Sequence, residues 1–77
     1  MTADTIPTAD RLLRRHEVER MTGLRRSSLY RAIAAGTFPR PAPLSEATVA
    51  WSEREVAQWI AERIAERDRR LAERGAA

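Results

Sequence analysis

Apolar positions near the start of the chain predict one short helix after an unpatterned segment. Residues 1–10 have no hydrophobic periodicity, and we expect them to be a disordered N-terminal segment. Residues 11–14 contain two adjacent leucines, which are compatible with a brief strand or an extended approach to the first helix. From His16 the spacing of Val18, Met21 and Thr22 fits one helical face, which Gly23 should end.

A second helix is predicted after the tight turn at Thr22-Gly23-Leu24, with Leu24 packed back into the core. At about 100° per residue, one side of this helix is apolar and the opposite side is polar or small. The apolar side contains Leu29, Ala32 and Ile33, whereas Ser27, Arg31 and Ala34 lie opposite with Tyr30 on the flank. Two short helical patterns joined by a tight turn are typical of a helix-turn-helix.

The middle of the chain predicts a β-hairpin. Thr37 to Leu44 contains prolines at three alternating positions, which exclude a helix and favour an extended edge strand. Residues 45–47 can form a turn, and residues 48–51 are rich in strand-forming types. Such a hairpin would be the wing of a winged helix.

The longest helical pattern follows the hairpin. Ser52 and Glu55 have the spacing of a capping box at its start. Its apolar stripe consists of Val56, Trp59, Ile60 and Ile64, and we expect core packing to fade after Ile64. Residues 67–77 should be either a solvated helical extension or a tail that frays near Gly75, with Glu66 able to pair with Arg70. The predicted DNA-binding domain therefore covers residues 11–66.

The composition favours binding over catalysis. A chain of 77 residues forms one small domain with little room for an enclosed substrate cavity. It contains no cysteine and one histidine, His16, so we expect no metal site and no cofactor. Its carboxylates do not converge and no serine has an activating base, so we expect no enzymatic activity. Without a long apolar run or an N-terminal signal pattern, a cytoplasmic location is expected.

The positive charge is concentrated in the helix-turn-helix segment. The net charge is +3, which divides into −2 for residues 1–10, +6 for residues 11–44 and −1 for residues 45–77. All 14 basic residues are arginine, a side chain suited to bidentate contacts with phosphate or guanine. A bias of genome composition toward arginine codons would explain this choice equally well.

Six residues are candidates for contact with DNA: Arg25, Arg26, Ser27, Tyr30, Arg31 and Arg40. We expect Arg26 and Ser27 to approach base edges, because the N-terminal residues of a recognition helix enter the major groove most deeply. Arg31 and Tyr30 would bind phosphate, although Tyr30 could instead pack against the first helix. Arg40 lies between two prolines, where contact with the DNA backbone and plain exposure are both compatible with the sequence.

The two tryptophans could be stacking platforms for single-stranded bases. We expect them to be core residues, because a domain this small needs large aromatic side chains for burial. Trp51 ends the predicted hairpin, and Trp59 lies on the apolar stripe of the last helix.

The order of these motifs resembles that of the AlpA-type phage regulators, which belong to the wider group of MerR-like and excisionase-like winged helices. The resemblance covers about Arg11 to Ile64. It is carried by Arg11-Leu12-Leu13-Arg14, Glu17-Val18, Thr22-Gly23-Leu24, Arg26-Ser27-Ser28-Leu29-Tyr30-Arg31, Gly36-Thr37-Phe38-Pro39-Arg40-Pro41 and residues 49–59. It implies a mainly α fold with a small β-hairpin, a MerR-like winged helix-turn-helix, and a prophage- or mobile-element-type regulator that binds DNA.

The chain departs from the family pattern in three places. Arg25 stands where the family often has a serine cap, and Arg15 where it often has an apolar residue. The wing tip, residues 43–47, contains an acid and no glycine, so the sequence leaves wing contact with DNA open.

Three functions remain open from the sequence. The first is sequence-specific binding of double-stranded DNA as a transcriptional regulator, with a homodimer or a cooperative oligomer on repeated sites. The second is an excisionase that bends attachment-site DNA. The third is a protein-interaction module without specific DNA binding. An integrase or RNA polymerase is a further expected partner, and no membrane is expected.

Overall fold

Three helices and three short strands make up residues 9–76, which are the residues that a computed structural model describes. In chain order they are β1 Leu12–Leu13, α1 Arg15–Thr22, α2 Arg26–Ala34, β2 Ala42–Pro43, β3 Val49–Ser52 and α3 Glu53–Ala76. The prediction of disorder for residues 1–8 lies outside the described residues.

The three strands form one antiparallel sheet with the order β1-β3-β2. Leu13 is opposite Trp51 in the β1–β3 pair, and Ala42 is opposite Ala50 in the β2–β3 pair. The hairpin is thereby confirmed, and residues 11–14 include a strand. The predicted first strand of the hairpin, Thr37 to Leu44, was too long, because only Ala42–Pro43 pairs with β3.

Trp51 of the central strand is fully buried and belongs to the cluster that joins the sheet to all three helices. Besides Trp51, the buried members of this cluster are Leu13, Val18, Leu29, Phe38 and Val56. Leu24 packs against it from the turn between α1 and α2, as predicted. Two indole N–H groups hold the loop before β2: Trp51 Nε1 donates to the Pro39 carbonyl at 3.1 Å, and Trp59 Nε1 donates to the Thr37 carbonyl at 2.7 Å. These bonds explain why residues 37–39 do not join the sheet.

Glycines end the first two helices. Gly23 has φ 80°, and its N–H donates to the Glu19 carbonyl at 2.8 Å. Gly36 also has φ 80°, and the bonds from Gly36 N to Ile33 O and from Thr37 N to Ala32 O form a Schellman motif. Left-handed conformations of this kind favour glycine, so these two residues fix where α1 and α2 stop.

The N-terminus of α3 is closed by side chains and by the neighbouring strand. Ser52 Oγ accepts from the Glu55 N–H at 3.1 Å, as the capping box predicts. The Asp10 carboxylate accepts from the Arg54 N–H at 3.0 Å and from the Ser52 hydroxyl, and the Arg11 carbonyl accepts from the Glu53 N–H at 2.7 Å. Placing Asp10 in a disordered segment was therefore wrong, because it is part of this cap.

Helix α3 extends well past the core. Trp59 and Ile60 are partly buried against the cluster, whereas Ile64 is already 46% exposed, so packing ends before Ile64 instead of after it. The helix continues through Gly75 to Ala76, which is the helical extension of the two predicted alternatives. The predicted pair forms, with Arg70 Nε 2.9 Å from Glu66 Oε2.

Helices α1 and α2, joined by a three-residue turn and followed by a hairpin and a closing helix, form a winged helix-turn-helix, which confirms the predicted fold class. None of the helices within residues 9–76 is long and apolar enough to cross a membrane.

Replacing Trp51 by Phe should lower the free energy of unfolding by about 2 kcal/mol, because it leaves a void and removes the donor for the Pro39 carbonyl. Urea unfolding followed by circular dichroism measures this loss. Leu44→Ala is the control, since Leu44 is 50% exposed on the hairpin and its loss should change stability little. Equal stability of the two variants would contradict the central role of Trp51.

Stability should also depend on Asp10 through pH. The hydrogen bond from the Ser52 hydroxyl, followed by that from the Arg54 amide, lowers the pKa of the Asp10 carboxyl below its ordinary value. A lowered pKa in the folded state means that the carboxylate stabilises the fold at neutral pH and that this contribution is lost as pH falls through the folded pKa. Asp10→Ala should therefore be less stable than the wild type at pH 7, and the difference should shrink in acid. Urea unfolding at several pH values measures it, and a difference independent of pH would contradict the cap.

Candidate nucleic-acid interface

The outward face of α2 contains the candidates predicted for a recognition helix. Ser27, Tyr30, Arg31 and Ala34 are exposed, whereas Leu29 on the opposite side is buried. Ser27 and Arg31 are one turn apart on this face. The predicted division of α2 into a core side and a solvent side is therefore confirmed.

Four of the six candidates meet in one open groove at the start of α2. Arg25, Arg26, Ser27 and Tyr30 line it together with Glu19 of α1. The groove thus combines two guanidinium groups, a serine hydroxyl and an aromatic ring on the helix end that a recognition helix presents.

The N-terminus of α2 has no side-chain cap. Arg25 is the N-cap residue, with φ −89° and ψ 166°, and its side chain makes no capping hydrogen bond. Within residues 9–76, no hydrogen bond occupies the backbone N–H of Arg26, Ser27 or Ser28. Free amide donors at a helix N-terminus, beside two arginines, favour an anionic group such as phosphate. The contrast with α3 is sharp, because every N–H of its first three residues has an acceptor.

Tyr30 packs against Trp51 of the sheet. Its ring meets that of Trp51 edge to face, with centroids 6.3 Å apart and planes at 65°, and 40% of the residue remains exposed. Tyr30 also lines grooves with Glu19 and with Arg15 of α1, so packing against α1 stays a prediction beside phosphate binding. The contact with the buried Trp51 restrains the direction of the Tyr30 ring.

A second groove continues from Tyr30 toward the wing. Its lining residues are Arg14, Arg15, His16, Tyr30, Ala47, Val49 and Trp51. It brings the start of α1 and the hairpin to the same side as α2. Sequence reasoning assigned no role to His16 and none to Arg14, since their proximity to Tyr30 follows from the tertiary fold. The sequence offered one indication that Arg14 and His16 could belong to the site, which is their position at the start of α1, the helix before α2.

Most arginines of the helix-turn-helix make no ion pair, whereas several on α3 do. Within residues 9–76, Arg14, Arg20, Arg25, Arg26, Arg31 and Arg40 are more than 4 Å from any carboxylate oxygen. Arg15 differs, because its Nη1 lies 2.7 Å from Glu19 Oε2 on the same helix. Arg15, which stands where the family often has an apolar residue, is thus paired with a carboxylate of its own helix.

Arg40 lies apart from the other candidates. It lines a third groove, between the loop that follows α2 and the first turns of α3, together with Phe38, Trp59, Glu55 and Glu62. The structure therefore does not bring Arg40 together with Arg25, Arg26, Ser27 or Tyr30. Trp59 is partly buried there, with its ring edge to face with Phe38 at a centroid distance of 4.9 Å. Both tryptophans thus pack in or against the core, as predicted.

Among the described residues, no group of three or more histidine, cysteine or carboxylate side chains could hold a metal ion. Apart from Glu19, which pairs with Arg15, the polar side chains that line the grooves near α2 are hydrogen-bond donors or carry positive charge.

A family model described as prophage CP4-57 regulatory protein (AlpA) matches residues 11–64. The chain belongs to the AlpA family of phage regulatory proteins. The resemblance noted in the sequence is thereby confirmed. An uncharacterized protein, ORF88, of Enterobacteria phage P4 is 45% identical to this AlpA-family chain over 62 residues, which cover 80% of the chain and 70% of the relative.

The family match ends at residue 64, near the point where α3 leaves the core. It therefore includes the sheet, the helix-turn-helix and the grooves around Tyr30. The remaining turns of α3 in this AlpA-family chain lie beyond the matched region.

Replacing Arg25 by Ser should stabilise the protein by about 1 kcal/mol, because a serine hydroxyl at the N-cap can accept from a free amide of α2. Urea unfolding measures the gain. Arg25→Ala is the matched control, since it removes the same guanidinium without supplying a cap and should stay near wild-type stability. If the two variants were equally stable, the α2 amides would not be available to an acceptor.

Proposed function

We propose that this AlpA-family chain binds double-stranded DNA sequence-specifically through α2 and acts as a transcriptional regulator. The observation that carries the proposal is the start of α2, where free amides and two arginines without ion pairs share an exposed groove. The regulatory description of the family supports the same conclusion.

Each candidate has a proposed role that follows from its position. Arg26 and Ser27 at the first turn of α2 would approach base edges in the major groove. Arg25 and Arg31 would bind phosphates on either side of that groove, and the Tyr30 hydroxyl would bind a phosphate while its ring stays on Trp51. Arg40 would reach the DNA backbone only at the edge of the contact, because it lines a different groove.

Arg14 and His16 extend the proposed surface. They line the groove between Tyr30 and the wing, so DNA seated on α2 would pass close to them. We propose backbone contacts for both. The wing contributes Val49 and Ala47 to this groove but no cation. We therefore propose that the wing contacts DNA through its shape and does not bind phosphate.

One small module reads few base pairs, so binding by several copies on repeated sites is part of the proposal.

RNA polymerase would be the partner of a regulator, and an integrase the partner of an excisionase. We propose no catalytic activity and no cofactor, with action in the cytoplasm where the DNA is.

The test is selection of binding sites from a library of random duplex DNA at near-physiological salt. We expect an enriched motif, repeated at about one helical turn if several copies bind. Weak binding that disappears as salt rises, without an enriched motif, would contradict sequence-specific recognition and favour the protein-interaction function. Strong bending of the enriched site, found beside an integrase gene, would instead indicate the excisionase function.

Two substitutions test the residue roles on the enriched site by fluorescence anisotropy. Arg26→Ala should weaken binding to the enriched site by roughly tenfold or more while leaving random DNA less affected, because a base contact is lost. Arg31→Ala should weaken binding to all sequences and flatten the slope of log affinity against log salt by about one.

Arg70→Ala is the control for both, since Arg70 is paired with Glu66 far along α3. It removes the same charge and should leave DNA affinity nearly unchanged. Wild-type affinity in Arg26→Ala and Arg31→Ala would show that the assigned residues are wrong.

A further inference from the structure

The groove between α3 and the loop after α2 has a regular pattern on its helical wall. Glu55, Trp59 and Glu62 have the spacing i, i+4, i+7 and all line it, so an apolar ring lies between two carboxylates. Glu55 and Glu62 are exposed and form no ion pair within residues 9–76. Phe38, Pro39 and Arg40 form the opposite wall, and the Arg63 guanidinium carbon lies 5.9 Å from the centre of the Trp59 ring.

The far part of α3 repeats this spacing with the opposite charge. Arg67, Leu71 and Arg74 also stand at i, i+4, i+7, and Leu71 is 55% exposed between the two arginines. Arg74 makes no ion pair within residues 9–76, and Arg67 pairs only with its exposed neighbour Asp68. This part of the helix lies beyond the last core contact, so its sides are free to meet another molecule.

We propose that the Arg67–Leu71–Arg74 face of one chain docks in the Glu55–Trp59–Glu62 groove of a second copy. Leu71 would pack on the exposed part of Trp59, and each arginine would pair with one carboxylate. Matching charge at matching spacing selects a copy of the chain as the occupant. DNA is a poor occupant, because the two carboxylates would lie against its phosphates.

The arrangement is head-to-tail. The two faces are 12 residues apart in the sequence, which corresponds to about 18 Å along the helix and a rotation of about 120° around it. Two α3 helices packed side by side about a two-fold axis would present one face each and could not use both. Each copy therefore offers a face to one neighbour and a groove to the next, which makes an open chain of copies.

The contact leaves the proposed DNA-binding surface free. Apart from Arg40, none of the proposed DNA-binding residues lines this groove, and the grooves around Tyr30 share no residue with it. A single helix face buries a small area, and exposed ion pairs add little, so the contact is weak between free chains. Copies on neighbouring DNA sites would be close enough for it to form more fully.

The first experiment measures the mass of the full chain in solution by sedimentation equilibrium, without DNA, over a range of concentrations. We expect the average mass of the wild type to rise beyond that of a dimer without a plateau. Arg67→Glu should shift this rise to at least tenfold higher concentration. Arg69→Glu is the matched control: it makes the same charge change two residues away, on another side of α3, and should associate like the wild type.

The second experiment combines two double variants, E55R/E62R and R67E/R74E, after circular dichroism shows that each is folded. Each alone should be monomeric, because it retains only the face or only the groove. An equal mixture should associate into open chains, since the face of each variant is opposite in charge to the groove of the other. A chain carrying all four changes should associate with itself again.

Three results would overturn the proposal: a wild type that stays monomeric at every concentration, a closed dimer as its largest species, or double variants that do not associate when mixed. Because DNA is absent from these measurements, their failure would leave DNA binding by α2 untouched.

Discussion

Burial of the Trp51 side chain in the central strand is the interaction on which the rest of the structure depends. Its ring joins β1, both helices of the helix-turn-helix and the start of α3 in one cluster. Its N–H holds the loop before the wing, and its edge supports Tyr30 on the outer face of α2. In a domain this small, one large aromatic residue supplies a considerable share of the buried apolar surface. The buried Trp51 ring thus helps to determine where Tyr30 and the candidate interface lie.

The starts of α2 and α3 differ in how their first backbone amides are satisfied. The start of α3 has an acceptor for each early amide, two of them supplied by Asp10 and Ser52. The start of α2 has arginine at the N-cap and unoccupied amides. A serine there would stabilise α2 but would occupy an amide that an anionic ligand could bind. In the proposed function, the stability given up at this helix end leaves amides available for a phosphate group.

Local patterns predicted the elements, because the forces that shape them act over a few residues. The end of α1 follows from the conformational freedom of Gly23, the start of α3 from the Ser52 hydroxyl, and the two faces of α2 from helical periodicity. The contact of Asp10 with the amide 44 residues later depends on the pairing of β1 with β3. The same holds for the Tyr30–Trp51 contact and for the closeness of His16 to the wing. Hydrophobic periodicity describes neighbouring residues and does not predict contacts between distant ones. The groove between Tyr30 and the wing could therefore not be predicted from the sequence.

The arginines show why total charge is a weak guide to a binding surface. Those at the start of α1 and along α2 are mostly without carboxylate partners, whereas Arg69 and Arg70 of α3 share Glu66. A guanidinium that already pairs with a carboxylate must lose that pair to bind phosphate, and an unpaired one must lose only water. Within residues 9–76, three of the six arginines of α3 have such a partner and neither arginine of α2 has one, which favours the helix-turn-helix for the proposed phosphate contacts. Apart from Arg40, the groove containing Glu55 and Glu62 is unfavourable for phosphate because these carboxylates carry the same sign of charge, so the two proposals assign different surfaces of one small fold to two kinds of partner.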